Sequence, residues 1–147
     1  MTTAAHPTEP LDAARLYGRG RLSAARRDIA QALASLGGAF TAEDLHAAVS
    51  ALRPGIGVAT VYRAVAAMAE ANSLALVGAR DGSTLYARCA GGKHHHHLIC
   101  TGCGTVVSVA CPVDGPLVRS AREAGYTVTA HEVTLYGLCP TCSKERG

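Results

Sequence analysis

The sequence predicts an α+β fold in two parts, a helical stretch closed by a β-hairpin and a C-terminal stretch of strands around one helix. Three observations carry this. Apolar residues recur at helical spacing in three successive segments before residue 72. Asp81-Gly82 then lies between two short β-prone runs, a strong hairpin signal. After Ala90-Gly91-Gly92, strand-like segments begin at His94-His95-His96-His97 and run into paired cysteines. The expected divisions are a disordered tail at 1–10, a first domain at 11–88, a hinge at 89–93 and a second domain at 94–147.

The elements follow in order. Residues 1–10 are polar, with too few apolar side chains to fold and no apolar core for a secretory signal. A short helix is expected over 11–17, broken by Gly18 and Gly20. Ser23 caps a helix over 24–36 whose Ile29, Leu33 and Leu36 form one stripe, and Gly37-Gly38 ends it. Thr41 caps the next helix, with Glu43 and Asp44 in the first turn, where negative charge suits the helix dipole. Leu45, Val49 and Leu52 form its buried face, and Pro54-Gly55 stop it.

A third helix is expected over 58–71. Val61, Val65 and Met68 share one side, while Ala59, Arg63 and Ala66 point away with Tyr62 on the flank. That outer face is short-limbed and mildly basic, suited to close approach to a major groove. Strands at 74–77 and 84–88 follow. Three helices and a hairpin, in that order, make a winged helix-turn-helix. Beyond the hinge, strands are expected at 94–100 and 105–109 around a turn at 102–104. A helix over 114–124 starts near Asp114 and ends at Gly125, and a strand covers 126–136.

Composition sets bounds on function. The 147 residues suffice for one mid-sized domain or two small ones, and with one Phe and no Trp the core must be built mostly from Ala, Leu and Val. Net charge is only +3, but Arg15, Arg19, Arg21, Arg26 and Arg27 crowd one segment opposed there by Asp28 alone, as a phosphate-facing arm would be. No run is long enough to span a bilayer, so no membrane partner is expected. Six cysteines in a chain that reads as cytoplasmic favour metal ligation over disulfides.

Cys100-x-x-Cys103 and Cys139-x-x-Cys142 supply two thiolate pairs, and two such turns complete a four-thiolate zinc site with no open position. In a strand the histidine run splits by alternation: His94 and His96 face one way, His95 and His97 the other. His131 and Asp114 are candidate partners for the first pair, and Cys89 for the second. A zinc deaminase is a poor match, because no His-x-Glu precedes a Pro-Cys-x-x-Cys. A zinc-dependent enzyme would also need a general base beside an open metal position, and no Glu lies near Cys89, His95 and His97 in sequence. A plain metal store is the other rival. His46 reads as a packing or surface histidine, and Cys111 as a small core hydrophobe, with a spare ligand as its alternative.

With these residues in place, the chain from Arg19 to Cys142 resembles the ferric uptake regulator family of metal-responsive repressors. The resemblance rests on residues 21–26 (RLSAAR), on Ala59-Thr60-Val61-Tyr62-Arg63, on Asp81-Gly82 with Tyr86, on the His94–Cys103 stretch, and on His131 and the last cysteine pair. It implies a cytoplasmic homodimer in which 11–88 is a winged-helix DNA reader and 94–147 an α/β dimerisation domain with a structural Zn2+ on Cys100, Cys103, Cys139 and Cys142. It further implies a regulatory hinge site at Cys89, His95 and His97, and a second site at His94, His96, Asp114 and His131. Arg19, Arg21, Arg26, Thr60, Tyr62 and Arg63 would meet double-stranded DNA at a palindromic operator. The histidine run is most similar to the zinc-uptake branch, since iron and peroxide sensors usually carry Asp where this chain has His96. Zinc-branch members often have a carboxylate where this chain has Ala75, leaving water, Asp81 or nothing as the fourth hinge ligand. Nickel, iron, manganese or peroxide are the alternative signals.

Overall fold

The computed structural model describes residues 11–19, 21–89, 94–111 and 115–146. The expected tail at 1–10, the hinge segment 90–93 and Asp114 lie outside the described residues. The helical part comprises α1 (Ala13–Leu16), α2 (Ala24–Ser35), α3 (Ala42–Leu52) and α4 (Val58–Glu70), followed by the hairpin of β1 (Leu74–Arg80) and β2 (Ser83–Arg88). Then come β3 (His95–Cys100), β4 (Val106–Ala110), α5 (Pro116–Glu123), β5 (Thr134–Gly137) and α6 (Pro140–Glu145).

The helices start where short polar side chains can take up unpaired backbone donors. Ser23 accepts from the Arg26 N–H at 3.2 Å. Thr41 accepts from the Asp44 N–H at 3.1 Å while the Asp44 carboxylate accepts the Thr41 N–H at 2.8 Å, a full capping box. Ile29, Leu33, Leu45, Val49, Val61, Val65 and Met68 are fully buried between α2, α3 and α4. Each such side chain contributes roughly 1.5–3 kcal/mol relative to exposure. Ala59, Arg63 and Ala66 are exposed on the opposite face of α4, as its periodicity requires. Leu52 is a correction: expected on the buried face, it is half-exposed as the last residue of α3.

The hairpin turns at Asp81 and Gly82, whose φ values of 51° and 81° are the left-handed pair of a type I′ turn. Strand β1 runs three residues beyond its expected end, because a bulge between Leu76 and Gly78 lets the ladder continue to Arg80 opposite Ser83. Phe40 bridges Tyr86 through backbone bonds of 2.8 and 2.9 Å, adding a short third rung to the wing.

The second sheet has the order β4-β3-β5. Strand β3 is central, antiparallel to β4 with His95 opposite Ala110 and Ile99 opposite Val106, and parallel to β5 with His97 beside Thr134. The strand expected over 126–136 forms only as Thr134–Gly137. Upstream of Thr134 the Val133 N–H donates to Nδ1 of His96 at 3.2 Å, so a side chain takes a donor that a longer ladder would need.

Among the described residues, the two parts touch through apolar packing and backbone and hydroxyl hydrogen bonds. Val77 and Ala87 of the wing pack with Ile99 and Val106 of the second sheet. The Tyr136 hydroxyl donates to the Val77 carbonyl at 2.5 Å. The Ala39 N–H donates to the Gly104 carbonyl at 3.2 Å, beside Gly38, whose φ is 70°. Among the described residues no helix is long and apolar enough to cross a membrane.

A methyl group on Gly38 would sit 2.5 Å from the Gly104 carbonyl oxygen and would occupy a left-handed backbone, whereas Gly37 has open space. Gly38→Ala should therefore lower stability by roughly 1–3 kcal/mol. Gly37→Ala should change it by less than about 0.5 kcal/mol. Thermal melts of the two variants side by side check this.

Candidate metal centres

Alternation along β3 does what the histidine run implies. His94 and His96 emerge on one face, His95 and His97 on the other, and each pair meets a different set of partners.

The four cysteines come together at the far end of β3. Cys100 ends the strand, Cys103 lies in the following turn, Cys139 caps α6 and Cys142 sits in its first turn. One sulfur from each lies within 4.8 Å of the others, and Cys103 Sγ is 3.8 Å from Cys139 Sγ. Zinc–sulfur bonds of about 2.3 Å give a tetrahedron with edges of about 3.8 Å, so the donor set fits zinc. Backbone N–H groups support the thiolates: Cys139 N donates to Cys100 Sγ at 3.2 Å and Cys142 N to Cys139 Sγ at 3.4 Å. The N–H groups of Cys139 and Cys103 hold the Cys100 thiol down to about 6, while hydrogen bonding to the Cys139 and Cys100 sulfurs pushes Cys142 up to about 12. Gly102 is required here, since a methyl group on it would lie 2.8 Å from Cys142 Sγ.

On one face of β3, ligand atoms of Cys89, His95 and His97 lie within 4.8 Å of one another. The two imidazole rings are 5.1 Å apart and steeply inclined. Cys89 follows directly on β2, with its N–H bonded to the Ser73 carbonyl at 2.9 Å, and burial pushes its thiol up. Of the possible fourth ligands, Asp81 is removed by geometry. It sits in the hairpin turn, six residues or about 20 Å of strand beyond Ala75.

On the other face, His94, His96 and His131 gather with Cys111, the alternative ligand of the sequence analysis. His94 Nε2 is 3.1 Å from His96 Nε2 and 2.8 Å from His131 Nε2. Cys111 Sγ is 3.2 Å from His96 Nε2 and 3.0 Å from His131 Nε2. Cys111 is therefore half-buried among imidazoles, not a core hydrophobe. The hairpin register would have shown it: with His95 opposite Ala110, the next position sets residue 111 across from His94, on the same face. His96 is 2% exposed, and burial together with His94 and His131 holds its pKa below the usual imidazole range, keeping a neutral donor. Both histidine sets open on one cleft of about 690 Å³, lined also by Ala75, Asn72 and Glu132. His46 behaves as expected, 3.0 Å from the Ile56 carbonyl within the helical part.

The residues expected at DNA lie on the opposite end of the helical part. Arg26, Thr60 and Arg63 line one cleft of about 230 Å³ together with Ser23 and Ala64, where the start of α2 meets α4. Arg26 lies 4.7 Å over the Tyr17 ring and donates to the Arg21 carbonyl at 3.2 Å, and Arg63 donates to Thr60 at 3.2 Å. Arg19 and Arg21 are exposed beside them. The Tyr62 hydroxyl is tied to the Glu43 carboxylate, a contact that the helical wheel did not reveal.

A winged helix joined to a small sheet that carries clustered cysteines and histidines defines a class of metal-responsive transcriptional regulators. The model of the ferric uptake regulator family matches residues 19–136, and the chain belongs to that family. Its members are regulators and not enzymes. The chain is 36% identical over 108 residues to the ferric uptake regulation protein of Bordetella parapertussis, covering 73% of this chain and 77% of the relative. A solved structure described as a zinc-bound manganese uptake regulator is 31% identical, with a TM-score of 0.56, covering 82% of this chain and 91% of the other. A zinc uptake regulator complexed with zinc and DNA shares the fold at 23% identity and a TM-score of 0.67, covering 86% and 85%.

If the four-cysteine centre holds the sheet to α6, its loss should unfold the C-terminal part. Cys103→Ser, or a strong chelator, should abolish the cooperative melt of that part by circular dichroism. An unchanged melt would refute a structural metal there.

Proposed function

We propose that the chain is a zinc-responsive transcriptional repressor, acting in the cytoplasm as a homodimer on palindromic operators of metal-uptake genes. The observation that carries this is the meeting of Cys89, at the end of the wing, with His95 and His97 of the second sheet. An ion on those three ligands would link residues 11–88 to residues 94–147 across the 89–93 connection. The imidazole and thiolate donors that make up the three clusters favour zinc over the harder iron and manganese ions.

The roles follow from position. Cys100, Cys103, Cys139 and Cys142 hold a structural zinc. Cys89, His95 and His97 hold the regulatory ion, with the fourth position left to water. His94, His96 and His131 form the second site. On the DNA side, Thr60, Tyr62 and Arg63 of α4 face the major groove, while Arg19, Arg21 and Arg26 sit on phosphates. Homodimerisation is supported by apolar side chains left in solvent on and after α5: Leu117, Tyr126, Val128 and Leu135 are all exposed. Strand β5 also ends its sheet with an unpaired edge.

The mechanism is linkage. A bound ion stabilises whichever arrangement of reader and scaffold brings its ligands together. If that arrangement also fits two half-sites, metal and DNA tighten each other equally. Cys89→Ser should remove the zinc dependence of operator binding while leaving a folded dimer. Gel shifts of wild type and variant, run with and without zinc, check this, and a variant that still tightens with zinc refutes the hinge. Running the wild type against iron, manganese, nickel and peroxide in the same assay separates zinc from the other signals. Arg26→Ala should weaken binding about equally on all sequences and reduce the salt slope by about one unit, read from affinities at several salt concentrations.

A further inference from the structure

We propose that Cys111 supplies the fourth ligand of the second centre, closing it as a three-histidine, one-thiolate site selective for soft divalent ions such as zinc or cobalt. Four donors then complete a tetrahedron without a carboxylate. The inference rests on the proposal that the chain binds metal at its histidine run, but it concerns one residue that neither the motif nor the family resemblance assigned.

The geometry is already that of a ligand set. His94, His96, Cys111 and His131 each place one donor atom within 4.8 Å of the rest. Four of the donor–donor separations, 2.8 to 3.2 Å, are a few tenths of an ångström tighter than the edges of a filled tetrahedron with metal–nitrogen bonds of about 2.0–2.1 Å and metal–sulfur bonds of about 2.3 Å. An ion entering would push the donors apart slightly instead of pulling them together. The four come from three separate segments: His94 and His96 from the residue before β3 and from β3 itself, Cys111 from the residue after β4, His131 from the chain before β5. His96 is buried and oriented by the Val133 N–H. On binding, the Cys111 thiol gives its proton to solvent as the sulfur–metal bond forms, so no other reactant is needed. A thiolate in place of a carboxylate shifts preference from manganese and iron(II) toward zinc and cobalt.

Cobalt(II) is the probe, because a thiolate bound to it gives a near-ultraviolet charge-transfer band that imidazole and carboxylate do not give. The full chain keeps zinc in its four-cysteine centre, verified by elemental analysis, and carries Cys89→Ser so that the hinge contributes no thiolate. Cobalt added to that protein should produce the band. Adding Cys111→Ser should abolish it, and adding Asp114→Asn should leave it in place. Cys111→Asp, which restores a donor and guards against misfolding, should keep visible ligand-field absorption from bound cobalt without the charge-transfer band. A band that survives loss of Cys111, or one that vanishes with Asp114→Asn, overturns the assignment. The readout is independent of DNA. If the band follows Cys111 but zinc leaves operator binding unchanged, the ligand stands and the repressor proposal fails. If zinc controls operator binding but the band ignores Cys111, the reverse holds.

Discussion

The two-residue period of strand β3 is the constraint on which the rest of the structure depends. An extended chain must send successive side chains to opposite faces. Four adjacent imidazoles on such a chain cannot serve one ion. They fall into two clusters back to back, and the same strand then brings Cys100 to a third. Its place in the middle of the sheet matters as much as its sequence. Hydrogen bonds to β4 on one side and β5 on the other hold its register, and a slip of one residue would exchange the two histidine pairs.

The third centre does more than close the C-terminal part on itself. The turn that carries Cys103 also carries Gly104, whose carbonyl accepts the Ala39 N–H from the loop between α2 and α3. Gly38 approaches that carbonyl too closely for any side chain, and Gly102 approaches Cys142 in the same way. Two glycines are thus needed on either side of one short turn: one lets α6 bring its thiolates in, the other lets the helical part dock. A cation that fixes the cysteine turn therefore also fixes a surface against which the reader rests.

Much of this was legible in the sequence, for identifiable reasons. Helices α2 to α4 carry strong apolar periodicity and side-chain or glycine punctuation at their ends, and the Asp81-Gly82 turn admits few alternatives. The paired cysteines and the histidine run name their own chemistry. What was missed depends on contacts between segments distant in sequence. The strand expected over 126–136 shrinks to Thr134–Gly137 because the chain before it turns toward His96. Leu52 lies at a helix end, where periodicity does not decide burial. Cys111 reads from sequence as a small core hydrophobe with a spare ligand as the alternative, and only the pairing of β4 with β3 sets it across from His94. The tie between Tyr62 and Glu43 joins two helices whose relative rotation no single-helix pattern fixes.

The position of Cys89 explains how a small local change could matter at a distance. Its N–H is held by the Ser73 carbonyl, and the Ser73 N–H in turn by the carbonyl of Met68, a fully buried residue of α4. Few soft bonds separate the cysteine from the helix that would read DNA. That helix has 13 residues, about 20 Å of length. A rotation of about 10° at its C-terminal root moves its other end by about 3 Å, more than a hydrogen bond to a base can tolerate. The contacts between the wing and the second sheet, the apolar cluster of Val77 and Ala87 with Ile99 and Val106 and the Tyr136 hydroxyl on the Val77 carbonyl, resist such a rotation without forbidding it. An ion at the hinge therefore need not build the closed arrangement. It need only favour it over neighbouring ones by a few kcal/mol, since each 1.4 kcal/mol of preference changes the ratio of the two arrangements about tenfold.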